Sequence, residues 1–155
     1  MTLSTRWAVP DDWPAVALFR YESSLAHFEH IPEVFGHLPP RPMDEQSVTN
    51  WMAKHQLTVR LACAGPTPVG FCVLRCHQPD LPGFAPFGQI MDIFIAPAYR
   101  RQGLAGTLFA DMRHHLATQG IHELVLDVYD YNQEAKRLYQ RLGFIPIKQT
   151  LSLSF

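Results

Sequence analysis

Between Ile95 and Thr107 the chain reads Ile-Ala-Pro-Ala-Tyr-Arg-Arg-Gln-Gly-Leu-Ala-Gly-Thr, a run of residue types suited to one kind of chemistry. An apolar stretch, Ile90 to Ile95, stops at Pro97; Arg100 and Arg101 follow, then small residues, then the opening of a helix. A helix start leaves about four backbone N–H groups without intrahelical partners and carries partial positive charge. Gly103, Ala105 and Gly106 let an anion come close to those N–H groups. Two arginines at a helix start oppose the macrodipole, and no carboxylate stands between Asp92 and Asp111 to offset them. An outside anion, a phosphate above all, relieves that conflict. The spacing is not that of a Walker loop, because no Gly-Lys-Ser/Thr follows the glycines. Nor is it the Gly-x-Gly-x-x-Gly of dinucleotide folds.

A second element lies downstream, from Asn132 to Phe144. Asn132 reads as a helix cap, Ala135, Leu138, Tyr139 and Leu142 as the inner stripe, and Gly143 as the stop. Arg100-x-x-Gly103-x-Ala105 resembles the Arg/Gln-x-x-Gly-x-Gly/Ala signature of the GNAT N-acetyltransferase superfamily. Asn132-x-x-Ala135-x-x-Leu138-Tyr139-x-x-x-Gly143-Phe144 is similar to that superfamily's Asn-x-x-Ala-x-x-Leu-Tyr-x-x-x-Gly-Phe stretch, and the match covers residues 89 to 145. The resemblance implies acetyl-CoA as acyl donor. Its diphosphate is expected on the backbone of Gln102, Gly103, Leu104, Ala105 and Gly106, with Arg100, Arg101 and Thr107 alongside. Ile93 and Ile95 would offer backbone groups to the pantetheine arm, Asn132 would bond that arm, and Tyr139 would lie by the sulfur.

Acetyl transfer to an amine sets three requirements. The amine, with a pKa near ~10.4, must shed a proton; the thioester oxygen must be polarised; the departing thiolate, at about 8.5, benefits from a donor. The resemblance makes Tyr139 that donor, against the alternative of a plain core aromatic. Asp92, on the strand leading into the phosphate loop, is the candidate proton acceptor, acting through a water or orienting substrate. The position before it, often glutamate in the family, is Met91. A strand-end aspartate paired with an arginine is an equal reading of Asp92, and Glu22, Glu29 and Glu33 are weaker candidates for the base. Lys136, Arg137 or Arg141 would meet the nucleotide end or form a solvated face. Phe28, Phe35, Phe84 and Phe87, in or beside Pro-rich loops, are candidate linings of an acceptor pocket. No cysteine falls near the motifs, which disfavours a covalent acyl-enzyme.

Composition bounds the rest. The 155 residues suit one domain, 1–155, able to build its own core. Thirteen basic and 14 acidic side chains give a net charge of -1, which leaves no electrostatic footprint for nucleic acid. No run of 18 apolar residues offers a membrane span. The first residues lack a signal-peptide core, and Cys63, Cys72 and Cys76 read as free thiols, so the expected setting is cytoplasmic. No metal is expected: His114 and His115 splay on a helix, and His27 and His30 have no acidic or cysteine partner at ligand spacing. Cys72 and Cys76 would stand about 13 Å apart on a strand.

The elements that must position these groups follow from periodicity. Strands are predicted over Thr2–Val9, Leu57–Ala64, Val69–Cys76, Gln89–Ile95 and His122–Tyr129, with Phe144–Ile147 and Thr150–Phe155 completing the sheet. Helices are predicted after Asp11 or Asp12, from Asp44 through Lys54, from Arg101 to Gln119, and after Asn132. The His30–Pro42 stretch, with four prolines, is a loop or broken helix. The implied fold is α+β: a mixed, largely antiparallel central sheet with helices on both faces, a three-layer arrangement like that of the resembled family, its strands at 89–95 and 122–129 splaying to admit pantetheine. The expected activity is N-acetyltransfer from acetyl-CoA by direct attack in a ternary complex, to a small-molecule or protein amine. Transfer to a hydroxyl is a rival within enzymes, and an acyl-CoA-binding sensor or partner module without catalysis is a rival of another class. The apolar face of Thr150–Phe155 on an exposed edge makes a homodimer the expected partner state.

Overall fold

The computed structural model describes residues 1–155, the side chain of Phe35 excepted. The strands are β1 (Leu3–Trp7), β2 (Leu57–Ala64), β3 (Thr67–His77), β4 (Phe87–Ile95) and β5 (Leu124–Leu126). They form one sheet in sequence order, antiparallel from β1 through β4, with β5 added parallel to β4. The helices are α1 (Trp13–His30), the single turn α2 (Pro32–Phe35), α3 (Glu45–His55), α4 (Leu104–Thr118) and α5 (Gln133–Arg141). This is the expected mixed, mainly antiparallel α+β arrangement.

Two apolar layers hold the sheet between helices. On one face α1 and α3 bring Val16, Phe19 and Val48 onto Leu61, Phe71, Val73 and Phe94. On the other, α4 sets Leu104, Leu108, Met112 and Leu116 against Ala62, Cys72, Leu74 and Ile90, with Tyr139 of α5 packed beside them. Each fully buried aliphatic or aromatic side chain contributes about 1.5–3 kcal/mol of burial free energy, so these two stripes hold the layers together. Asp44 caps α3, its Oδ1 accepting from the Ser47 N–H at 2.8 Å. Among the described residues no helix is long and apolar enough to cross a membrane.

The centre of β4 carries an irregularity. Its register with β3 shifts between Val73 and Leu74, which pair with Asp92 and Ile90, so Met91 is left over as a bulge. Side chains normally alternate across a strand. Here Ile90 joins the α4 layer, whereas Phe94 joins the α1 layer and Asp92 meets side chains of α1.

Three expectations need correction. The segments Phe144–Ile147 and Thr150–Phe155 form no strands; Ile145, Ile147, Leu151, Leu153 and Phe155 are all exposed. Alternation marks which side chains want burial, but a strand needs a neighbouring backbone, and this arm has none within the chain. The strand predicted at 122–129 shrinks to Leu124–Leu126, because only those residues face β4 within pairing distance. Asp12 does not cap α1 with its side chain: its carboxylate accepts from the Val9 N–H at 2.8 Å and pairs with Arg6 at 2.7 Å.

Candidate active site

After β4 the chain makes a 3₁₀ turn, Pro97–Tyr99, closed by Tyr99 N–H to Ala96 O at 2.9 Å. Arg101 and Gly103 then take left-handed φ values of 60° and 82°, which swing successive N–H groups into a concave row before α4 begins. The first backbone bond of α4 runs from the Thr107 N–H to the Gly103 carbonyl at 3.1 Å, and no side chain caps the helix. Among the described residues no acceptor in the chain takes the N–H groups of residues 101–106. These N–H groups are thus left open, and the protein's own side chains do not cap them.

The two arginines behave differently. Arg100 turns inward: its Nε donates to the Ile95 carbonyl at 2.8 Å and its guanidinium lies 5.6 Å from the centre of the Phe94 ring. It braces the strand-to-loop corner and takes up the Ile95 carbonyl that was expected to serve a ligand. Arg101 stays 85% exposed beside the row, 3.6 Å from Glu134 of α5. Gln102 donates to the Ala98 carbonyl, and the Thr107 hydroxyl donates back to the Gly103 carbonyl. Leu104 is buried in the core, so its contribution to the row is its backbone N–H.

β4 and β5 pair only at Gly88–Leu124, Gln89–Val125 and Ile90–Leu126. β4 continues to Ile95 without a partner on that side, which gives the expected parting of the two strands beside Ile93 and Ile95. Asn132 caps α5 with its Oδ1 accepting from the Ala135 N–H at 3.1 Å. Tyr139 packs edge-on against Phe109 and Phe144, at 5.8 and 5.9 Å. Burial pushes its hydroxyl up to about 12, with smaller contributions in the same direction from Cys72 and Asp92. So Tyr139 is at once a core aromatic and a phenol that holds its proton at neutral pH.

Cys72 is the cysteine that the sequence did not bring near the motifs. It pairs with Ile93 in register and is fully buried in the layer that Tyr139 joins. Burial raises its thiol far above the ordinary range, which keeps it protonated and a poor nucleophile.

Asp92 is held on both sides. Its Oδ1 accepts from the Ser23 hydroxyl at 2.7 Å, and its Oδ2 pairs with Arg20 Nη1 at 3.2 Å. Burial raises its pKa, while the Ser23 hydrogen bond and the Arg20 charge pull it down. Arg20 in turn lies 5.0 Å from the centre of the Trp51 ring. The arginine-paired reading of Asp92 thus describes its contacts.

Further along the same face of α1, one step of four residues from Ser23, stands His27. Its Nδ1 lies 2.5 Å from the Tyr131 hydroxyl and its ring 4.8 Å from that of Tyr129. His30 stacks on Tyr131 at 4.3 Å with the planes 3° apart. Reading the sequence missed this cluster. The signal was a polar series, Arg20, Ser23, His27 and His30, at helical spacing on an otherwise apolar-facing helix.

Other candidates are dispersed. Glu22, Glu29 and Glu33 are exposed on α1 and α2, Lys136 is tied to Asp130 at 2.5 Å, and Arg137 and Arg141 are exposed. The described candidate phenylalanines stand in different surroundings. Phe84 is exposed, Phe87 stacks on His77 at 4.5 Å at the start of β4, and Phe28 is half-buried on α1. The Phe35 side chain lies outside the described residues. Phe87 lines a cleft of about 410 Å³ with Gln56, Arg75, Cys76, His77, Gln78 and Pro79, a lining that includes neither Phe28 nor Phe84.

Comparison with known proteins agrees with this geometry. A mycothiol acetyltransferase of Corynebacterium aurimucosum is 34% identical over 83 residues, covering 54% of this chain and 26% of that protein. A glucosamine 6-phosphate N-acetyltransferase of Trypanosoma brucei brucei is 26% identical over 129 residues, covering 79% of this chain and 84% of that one. The chain spans about a quarter of the length of the first relative and most of the second. In fold, it matches a mutant of the BH1408 protein from Bacillus halodurans with a TM-score of 0.86, at 22% identity over 98% of this chain and 99% of that one. It also matches the aminoglycoside acetyltransferase AAC(6')-Iy, solved with a bisubstrate analogue of coenzyme A, with a TM-score of 0.75 at 16% identity over 100% and 99% of the two chains. The sequence pattern of the acetyltransferase (GNAT) family is matched over residues 23–144, which includes the end of α1 from Ser23, the open row of N–H groups and the capped helix that carries Tyr139. The chain belongs to the acetyltransferase (GNAT) family.

Proposed function

We propose that residues 1–155 form one acyl-CoA-dependent N-acyltransferase domain that moves the acetyl group of acetyl-CoA to an amine by direct attack. The observation that carries this reading is the row of N–H groups at 101–106 that the chain itself leaves without acceptors. A diphosphate held there by Gln102 through Gly106, with Arg101 and Thr107 at its side, would run its pantetheine arm along Ile93 and Ile95 toward Asn132 and Tyr139. Arg100 would serve by bracing the turn. The names of the relatives favour a small-molecule amine, a sugar amine among them, as acceptor.

In this reading the amine nitrogen attacks the thioester carbon, the C–S bond breaks, and the electron pair goes to sulfur. Tyr139 donates a hydrogen bond to that sulfur. With its pKa at about 12 against about 8.5 for a thiol, complete proton transfer by itself would run uphill by about 5 kcal/mol. Transfer is completed as the phenolate takes the proton that the new amide nitrogen sheds. Asp92, with both oxygens engaged, would act by anchoring α1 to β4 and by its charge. The fully buried Cys72 supports direct attack over an acyl-enzyme.

The exposed apolar arm of Ile145, Ile147, Leu151, Leu153 and Phe155, together with a sheet that ends in the three-residue β5, supports a homodimer. Three free cysteines, two of them buried, suit a reducing cytoplasm. Titration calorimetry with acetyl-CoA, followed by free-thiol release over a panel of sugar amines, polyamines and peptides, tests the reading. Binding with acceptor-dependent thiol release is expected. Binding without release on any acceptor would make the domain a coenzyme-binding module, and absence of binding would overturn the site itself.

A further inference from the structure

An ammonium acceptor must lose a proton before its nitrogen can attack, and the contacts of Asp92 make it a poor candidate for that task. It is enclosed, with one oxygen on Ser23 and the other on Arg20. The next polar groups along α1 are differently placed. β5 runs parallel to β4 and pairs last at Ile90–Leu126, so the chain just beyond β5 lies level with the unpaired part of β4. His27 reaches from α1 across that level to Tyr131, and His30 and Tyr129 flank the pair. Two elements far apart in sequence thus meet over the parting of the strands, on the side where the Asp92 anchor holds α1.

We infer that Tyr131 and His27 together accept the proton of the acceptor amine, an assignment that rests on the acetyl-transfer reading above. The ammonium N–H bond breaks as its proton passes to the Tyr131 oxygen. In the same movement the phenolic proton passes to His27 Nδ1, with the ring in its Nε2–H tautomer. Tyrosine ends as it began, the imidazole carries the proton, and the neutral amine attacks. The groups facing His27 include His30 on its own helix, Asp92 from β4, and Tyr129 and Tyr131 from beyond β5, while Arg20 of the same helix is tied to Asp92. Burial lowers the pKa of His27, against a weaker upward pull from Asp92, so the ring is neutral and ready to accept at pH 7.

The test compares wild type with H27Q, H27A, Y131F and H27Q/Y131F, in the full chain, by thiol release across pH, acetyl-CoA calorimetry and thermal melting. Wild-type kcat/KM should fall on the acid side with an apparent pKa at or below about 6.5. H27Q should lose that limb and about 10²-fold or more in kcat, with coenzyme affinity within about twofold of wild type. Y131F removes one oxygen from a half-buried ring, and should lose a similar factor even if H27Q folds poorly. The double variant should be no worse than the slower single one, as for groups acting as a unit. Added imidazole should restore part of the H27A rate, which a structural role would not permit. An active wild type whose acid limb survives in H27Q, or single losses that multiply in the double variant, would overturn this assignment alone. A wild type that binds acetyl-CoA but acetylates no amine would overturn the transfer reading and this inference with it.

Discussion

Replacing Asp92 by asparagine separates an anchoring carboxylate from a catalytic one. The Ser23 hydroxyl, 2.7 Å from Oδ1, keeps its acceptor if the carboxamide oxygen takes that side. The NH2 group then faces Arg20, and one charge-assisted hydrogen bond, about 1.5–3 kcal/mol, is lost. That loss is discounted because the Arg20 side chain is 41% exposed and can turn to water. Against it stands the burial of a carboxylate only 8% exposed, which costs several kcal/mol that D92N no longer incurs. The net change at pH 7 should be about 1 kcal/mol or less, a melting shift of about 2–4 °C. The pH dependence has a definite sign. The folded-state pKa of Asp92 is raised, so between the unfolded value and the folded one the native state binds more protons, and wild type loses stability as pH rises through that window. D92N lacks that loss and should gain on wild type over the same interval. In thiol-release assays kcat should fall less than about tenfold. The acid limb should move to lower pH, because the Asp92 charge that raises the His27 pKa is gone. A base role would instead demand about 10²-fold or more. A folded D92N that binds acetyl-CoA, yet loses about 10³-fold in kcat together with the acid limb, would refute this reasoning.

Tyr139→Phe should lower kcat by about 10²-fold with acetyl-CoA affinity unchanged in calorimetry. Because burial holds the Tyr139 hydroxyl near 12, wild type should show no alkaline limb from this residue below about pH 11. A limb near pH 9 that vanishes in Y139F would contradict that placement. Gly103→Ala meets no atom within 4 Å, but forces a side chain into φ 82°, so it should cost about 1–2 kcal/mol in thermal melts and weaken coenzyme binding. Equal affinity would show that the N–H row does not depend on this turn. Gly70→Ala would bring its Cβ within 2.6 Å of the Phe94 carbonyl and 2.7 Å of Ile95 Cδ1, and should destabilise by about 1–3 kcal/mol. A melting point matching wild type would mean that β3 and β4 separate more readily than their packing implies.

Much of the frame was legible because it rests on local rules. Asn132 and Asp44 act on residues three positions away, and Leu104, Leu108, Met112 and Leu116 declare their face by spacing alone. The N–H row was legible for the same reason: small residues after a strand and before a helix specify backbone geometry. The Tyr131–His27 contact spans 104 positions and is set only when α1 settles on β4, so the sequence offered His27 merely as one histidine near another. The C-terminal arm misled in the opposite way, since Leu151, Leu153 and Phe155 alternate cleanly yet find no backbone to pair with.

The leftover residue in β4 has a consequence of its own. Because Met91 is 41% exposed and matches no partner on β3, its identity matters less than its presence. Deleting it would make Ile90 and Asp92 direct neighbours, which plain alternation still sends to opposite faces and to their present partners Leu74 and Val73, so Arg20 and Ser23 would keep their acceptor while β4 lost the local bend of the bulge. Substitutions at position 91 should therefore be tolerated, and the loss of that one codon should change how β4 bends beside the site rather than which layer each side chain enters.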